Sequence, residues 1–124
     1  MELTKTEELL MEYIWKHEKS FLKDLIDCFP EPKPAQTTVA TMLKRMQEKG
    51  FVGYELYGNS RCYYALVKKT DYFSKQVKTM VRNFFNDSAG QFASFFTSET
   101  NLSKRELEDI RMILDEKIKN SGDD

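Results

Sequence analysis

The sequence predicts a mainly α-helical protein with one small β-hairpin near the middle of the chain. Apolar residues recur at the 3.6-residue spacing of amphipathic helices over most of the 124 residues. Between residues 52 and 67 this spacing changes to the period of two that is typical of strands. Pro30, Pro32 and Pro34 divide the helical part, because proline lacks an amide donor and disfavours helix in the residue before it.

The N-terminal segment is predicted to form two helices joined by a short break. Thr4 and Glu7 have the spacing of a capping box, which indicates the start of the first helix. That helix is expected to end near residues 17–19, and residues 20–22 are expected to be a short, extended break. A second helix fits residues 22–29, where apolar residues again recur at helical spacing before the prolines.

The third predicted helix, over residues 35–49, has two different faces. Its inward stripe is apolar and consists of Val39, Leu43 and Met46. Its outward face is polar and consists of Thr37, Thr38, Thr41, Lys44 and Arg45. Because threonine is a poor helix former, three threonines on one outward face indicate a role other than stability.

The next segment reads as a hairpin, and the remainder reads as three helices. Residues 52–57 alternate in polarity, residues 58–60 have a tight-turn composition, and residues 61–67 are rich in strand formers. Helical patterns follow from residue 70, with a break at residues 86–88 and a capping box formed by Ser103 and Glu106. We therefore expect two domains, over residues 1–69 and 70–124.

Three helices followed by a hairpin are the order of a winged helix-turn-helix domain. In that arrangement the third helix enters the major groove of double-stranded DNA, and the hairpin is the wing. Residues 33–69 carry seven basic and two acidic residues, although the whole chain has a net charge of −1. The predicted DNA-binding residues are Thr37, Thr38, Thr41, Lys44 and Arg45, with Arg61 near the tip of the wing.

The sequence resembles the penicillinase-repressor and methicillin-resistance-repressor family of winged-helix regulators. The specific part of the resemblance is TTVATMLKRM at residues 37–46, followed by EKG at 48–50. LTKTE at 3–7, IW at 14–15, YYALV at 63–67 and LS at 102–103 support it, so it covers essentially the whole chain. The resemblance implies a bacterial, homodimeric transcriptional repressor that binds dyad-symmetric operator DNA, with a link to antibiotic resistance.

The apolar stripes of residues 70–124 are predicted to form the dimer interface, as the interlocking C-terminal helices of the family also imply. The predicted interface residues are Phe73, Val77, Met80, Val81, Phe84, Phe92, Phe95, Phe96, Leu107, Ile110 and Leu114. An alternative stays open, in which these helices fold back onto the winged domain of the same chain.

Some members of the family are inactivated when a membrane-bound antibiotic sensor leads to cleavage of their dimerisation domain. The resemblance implies a cleavage region here at Ser94, Phe95 and Phe96, downstream of a β-lactam or cell-envelope sensor protease. The chain itself is expected to be cytoplasmic, because it has no signal-peptide pattern and no apolar run of about 18 residues.

No catalytic residue, metal site or cofactor is predicted. The two cysteines, Cys28 and Cys62, form no CxxC pair, and the copper-responsive relatives carry a C-terminal cysteine motif that is not found here. An enzyme stays open as an alternative, with His17 and Cys28 as its only candidates. A second alternative is a protein-interaction adaptor on a winged-helix frame, which the acidic pI of about 5.9 and the aromatic C-terminal half favour.

Overall fold

The computed structural model describes residues 2–122, which form six helices and one three-stranded sheet. The helices are α1 (Lys5–His17), α2 (Leu22–Cys28), α3 (Gln36–Glu48), α4 (Lys69–Phe84), α5 (Ala89–Glu99) and α6 (Lys104–Asn120). The strands are β1 (Lys19–Phe21), β2 (Val52–Tyr57) and β3 (Ser60–Ala65). The predicted fold class, mainly α-helical with a small hairpin and a winged helix-turn-helix order, is confirmed.

Both predicted capping boxes are present. The Glu7 amide donates to Thr4 Oγ1 at 3.1 Å, and the Thr4 amide donates to Glu7 Oε1 at 2.8 Å. At the start of α6, Ser103 and Glu106 exchange the same two bonds at 3.0 and 2.9 Å. Each box satisfies amide groups that a helix start would otherwise leave without an acceptor.

The sheet contains a strand that the sequence indicated only as an extended break. The strand order is β1-β3-β2, and both pairings are antiparallel. Ser20, Tyr63 and Val52 lie on the face of the sheet that is buried by the core. Because β1 has three residues, its alternation was too short to be recognised as a strand from the sequence.

The core of the winged part lies where α1, α2 and α3 present their apolar faces to one another. Its fully buried members, each with no exposed surface, are Leu10, Met11, Ile14, Leu25, Val39, Leu43 and Met46. The α3 stripe is therefore inward, as predicted. Gly50 follows this helix with a φ of +85°, a left-handed conformation that glycine adopts without a steric penalty.

The start of α4 is held by α1. The indole Nε1 of Trp15 donates to the Val67 carbonyl at 2.8 Å, and Lys69 pairs with Glu12 at 2.9 Å. Tyr72, which is buried, donates its hydroxyl to Glu8. The first residues of this helix therefore belong to the core of the winged part.

The chain divides into two compact units, and the boundary lies between Ser74 and Lys75, within α4. The second unit contains a cluster of phenylalanines, in which the Phe85 ring lies 5.5 Å from that of Phe92 and 5.3 Å from that of Phe95. None of its described residues is fully buried. Burial within this unit is therefore much less complete than in the winged unit.

An ion pair connects the beginning of α1 to the end of α3. Lys49 Nζ lies 2.7 Å from Glu7 Oε1 and also donates to the Glu2 carbonyl at 2.9 Å. Burial by itself raises the pKa of Glu7. The hydrogen bond from Lys49, the bonds from Thr4 and the charge of Lys49 outweigh burial, so the pKa lies below its ordinary value of 4.5.

Replacing Lys49 with methionine is expected to lower the free energy of unfolding at pH 7 by about 1–3 kcal/mol, because a buried carboxylate loses its charged donor. A carboxyl with a lowered folded-state pKa stabilises the protein above its unfolded pKa, and this contribution disappears as the pH falls through the folded value. The difference between variant and wild type should therefore shrink in acid. Urea unfolding at pH 7 and pH 3.5 measures it, with Lys16→Met, on an exposed lysine, as the control. An equal difference at both pH values would contradict this role for the pair.

Candidate nucleic-acid interface

The outward face of α3 carries the predicted DNA-binding residues of this helix. The side chains of Thr37, Thr38, Thr41, Lys44 and Arg45 are all exposed. The opposite stripe of the same helix is fully buried. Because that stripe fixes the rotation of α3 about its axis, the polar residues lie together on one accessible surface.

One hydroxyl on this face is partly committed to the helix itself. Thr41 Oγ1 donates to the Thr37 carbonyl at 2.8 Å. The hydroxyl proton of Thr41 is used in this bond, while its oxygen lone pairs and its methyl group remain available. In this conformation Thr41 can accept a hydrogen bond from a base amino group or contact a thymine methyl, but it cannot donate to a phosphate.

Arg61 lies on β3 and is held against an aromatic ring. Its guanidinium carbon is 4.2 Å from the centroid of the Tyr54 ring, which is a cation–π contact. Side chains two residues apart on a strand share a face, so Arg61 lies on the same face of the sheet as the buried Tyr63. The wing therefore presents this arginine on the side of the sheet that carries the core.

A groove of about 390 Å³ brings the start of α3 and the wing together. Gln36, the first residue of α3, and Arg61 both line it, together with Lys23 from α2 and Asn59 from the turn of the wing. The sequence identified Arg61 but not Lys23 or Gln36. Lys23 lies in an N-terminal segment with twice as many acidic as basic residues. Because the net charge of that segment is negative, the sequence did not indicate Lys23 as a DNA-binding residue.

The predicted cations of the interface have no carboxylate partner within the part of the chain that the structure describes. Among residues 2–122, the ion pairs join Lys19 to Glu55, Lys49 to Glu7 and Lys69 to Glu12. Lys44, Arg45 and Arg61 have no carboxylate within 4.0 Å in this part of the chain. Their charge is therefore available to an anionic partner.

The predicted dimer residues lie mainly in the second unit and differ in exposure. Phe84 is 78% exposed and Leu114 is 55% exposed, whereas Val81, Phe92 and Ile110 are half-buried. Phe73 belongs to the winged unit, where its ring lies 5.9 Å from that of Trp15. Three exposed apolar residues of α6 that are not among the predicted interface residues are Met112, Ile113 and Ile118.

The predicted cleavage region lies inside a helix. Ser94, Phe95 and Phe96 are exposed residues of α5. The Phe95 ring contacts Phe85, and the Phe96 ring lies 6.1 Å from that of Phe92. A break in the chain at this position would therefore divide the phenylalanine cluster of the second unit.

The remaining candidate residues, His17 and Cys28, are the last residues of α1 and α2. Within the described range, no three His, Cys, Asp or Glu residues are placed to hold a metal ion. Cys62 is buried, and Cys28 directs its thiol to the Asp24 carbonyl at 3.4 Å. None of the helices formed by residues 2–122 is long and apolar enough to cross a membrane.

Comparison with known proteins places the chain in a family. The family described as penicillinase repressor matches residues 3–116. Methicillin resistance regulatory protein MecI of Staphylococcus aureus is 25% identical over 117 residues, covering 94% of this chain and 95% of that protein. The penicillinase repressor of Bacillus licheniformis is 24% identical over 108 residues, covering 86% of this chain and 84% of that protein. An uncharacterised 16.5 kDa protein of Latilactobacillus sakei is 24% identical over 114 residues, covering 91% of this chain and 78% of that protein. The chain belongs to the penicillinase repressor family.

Proposed function

We propose that this chain is a homodimeric transcriptional repressor that binds dyad-symmetric operator DNA and acts in the cytoplasm. The observation that carries the proposal is the division of α3 into a buried apolar stripe and an exposed face of Thr37, Thr38, Thr41, Lys44 and Arg45. The names of the relatives, a penicillinase repressor and a methicillin resistance regulatory protein, support a role in antibiotic resistance.

In the proposed complex α3 lies in the major groove. The threonines near its start face base edges, while Lys44 and Arg45 meet phosphates or a guanine edge. Arg61 reaches the flanking phosphates or the adjacent minor groove from the wing. The acidic total charge does not oppose this arrangement, because contact with phosphate depends on the local charge.

The proposed dimer forms through the second unit. Several apolar side chains on α4, α5 and α6 remain exposed, which is costly in water and indicates a partner surface. A second copy of the chain is the partner that we propose, because two-fold symmetry presents two winged units to a palindromic site.

The proposed repressor is released from its operator by proteolysis at Ser94, Phe95 and Phe96, downstream of a membrane-bound sensor of β-lactams or of cell-envelope damage. The exposure of these residues supports this part of the proposal. Cleavage there would remove α6 from the chain and would divide the proposed dimer interface.

The decisive experiment is the selection of genomic DNA fragments by the purified protein at two salt concentrations, followed by sequencing. We expect a short dyad-symmetric sequence, with weaker recovery at higher salt because phosphate contacts release counterions. Recovery of nothing above background at either salt concentration would contradict DNA binding and favour the protein-interaction adaptor.

Replacing Arg45 or Thr41 with alanine is expected to weaken binding to the selected operator by roughly 1–3 kcal/mol, if each residue contacts a base edge. Thr41→Val should lose the part of the affinity that comes from a hydrogen bond to the hydroxyl oxygen. Thr41→Ser keeps that oxygen and should lose only the part that comes from contact with the methyl group. Thr6→Ala and Lys16→Ala, on exposed residues of α1, are the controls. Fluorescence anisotropy with a labelled duplex measures the affinities, and unchanged values would remove the residue concerned from the interface.

Replacing Leu114 with glutamine is expected to weaken dimerisation at least tenfold, since burial of one leucine contributes about 1.5–3 kcal/mol. Glu116→Gln, two positions further along α6 and on its other side, introduces the same side chain and should leave the dimer unchanged. Sedimentation equilibrium measures the dissociation constant. An unchanged constant for the Leu114 variant would place the interface elsewhere.

Replacing Phe95 and Phe96 together with alanine is expected to abolish inducer-dependent cleavage in cells, because the protease would lose the side chains next to the proposed cleaved bond. Immunoblotting of the repressor before and after β-lactam exposure measures the cleavage. The size of the wild-type fragments provides the control for its position. Normal cleavage of the double variant would contradict the proposed region.

A further inference from the structure

The groove between the start of α2, the start of α3 and the tip of the wing combines Arg61 of the predicted interface with polar residues that the prediction did not include. Its polar lining consists of two cations, two amides and two hydroxyls, which belong to Lys23, Arg61, Gln36, Asn59, Ser60 and Tyr63. No carboxylate lines it. The neighbouring Asp24 is directed to the backbone, where its Oδ2 accepts from the Phe21 amide at 3.2 Å.

The two cations of this groove have no anionic partner within the described residues. Neither Lys23 nor Arg61 has a carboxylate within 4.0 Å among residues 2–122, and both are exposed. Arg61 is also oriented by its contact with the Tyr54 ring. Lysine and arginine offer donors only, so the groove presents a surplus of donors and positive charge to whatever enters it.

This set of groups matches a phosphate oxyanion. A phosphate offers several acceptor oxygens, and charge-assisted hydrogen bonds to such oxygens are the strong ones. A volume of about 390 Å³ leaves room for a phosphodiester group together with ordered water, at roughly 30 Å³ per water molecule. Gln36 immediately precedes Thr37, so an anion in the groove is next to the face of α3 that we assign to the major groove.

We propose that this groove seats one backbone phosphate of the bound duplex, with Lys23 and Arg61 supplying charge and Gln36 and Asn59 donating hydrogen bonds. This inference rests on the proposed function, because it names a second contact of the same DNA. Since contacts to phosphate fix the register of a protein on the duplex, Lys23 and Gln36 are positioning residues and do not select a base.

The salt dependence of duplex binding tests the site. Lys23→Ala should lower the slope of log affinity against log salt concentration by about 1.8 for the proposed dimer, because each of its two subunits loses one phosphate contact worth about 0.9. Affinity at 0.15 M salt should fall by about thirtyfold for the same reason. The loss should be equal for operator and unrelated duplexes. Lys16→Ala removes an exposed lysine of α1 outside the groove and should change neither quantity.

The failure of this inference and that of the proposed function give different results. If the wild-type protein shows no salt-dependent binding to duplex DNA, this result would overturn both the proposed function and the phosphate site in the groove. A wild-type protein that binds duplex, with a Lys23→Ala variant of unchanged slope and affinity, would overturn the groove site alone. Circular dichroism of both variants checks that each is folded.

A second measurement identifies the source of the phosphate. The side-chain amide signals of Gln36 and Asn59 can be followed by NMR during titration with inorganic phosphate and, separately, with duplex DNA. Shifts with duplex support the proposal, whether or not inorganic phosphate also causes them. Shifts with inorganic phosphate alone would overturn the assignment to the DNA backbone, and unchanged signals in both titrations would overturn the site.

Discussion

The burial of one face of α3 is the constraint on which the rest of the winged unit depends. Val39, Leu43 and Met46 have no exposed surface, and they share a core with the apolar faces of α1 and α2. A helix that buries a stripe of this kind cannot rotate about its axis without exposing it to water. The opposite face, with its threonines and cations, is held outward for the same reason. The packing of α3 in the core therefore determines which of its side chains are exposed to solvent.

Two sets of basic residues differ in whether a carboxylate of the same chain pairs with them. Lys49, Lys69 and Lys19 are paired with carboxylates of the same chain, and two of these pairs connect α1 to segments far along the sequence. The cations of α3, the wing and the start of α2 have no such partner among residues 2–122. The net charge of −1 therefore does not show that some lysines are paired with carboxylates while the cations of α3, the wing and the start of α2 keep their positive charge unneutralised.

The sequence was most informative where a local pattern decides the local structure. Both capping boxes and the two faces of α3 depend on spacings of three or four residues, and all of them are present in the structure. What depends on distant segments was not predictable in this way. The strand β1 exists because its residues pair with β3, from Lys19 with Tyr64 to Phe21 with Cys62. Lys23 joins the groove of the wing only because the fold brings α2 to it.

The boundary between the two compact units lies inside α4. The change from hairpin to helix predicts a domain boundary after residue 69, and the first compact unit extends to Ser74. The reason is a contact that spacing does not show: buried Tyr72 bonds Glu8, and its ring lies 5.7 Å from that of Phe51. The apolar pattern at the beginning of α4 continues into the C-terminal helices. The side chains there nevertheless pack in the core of the winged unit.

The second unit has a different balance between burial and exposure. None of its described residues is fully buried, and Phe84, Met112 and Ile118 each expose two thirds or more of their surface. Apolar area exposed in this way contributes nothing to folding until another surface covers it. In the dimer that we propose, the stability of this unit and the affinity between subunits would then come from the same contacts. Because anything that binds only the folded state stabilises it by mass action, such a unit would gain stability with protein concentration. In the same proposal, cutting α5 would weaken both properties together, and the repressor would leave its operator because its dimer falls apart.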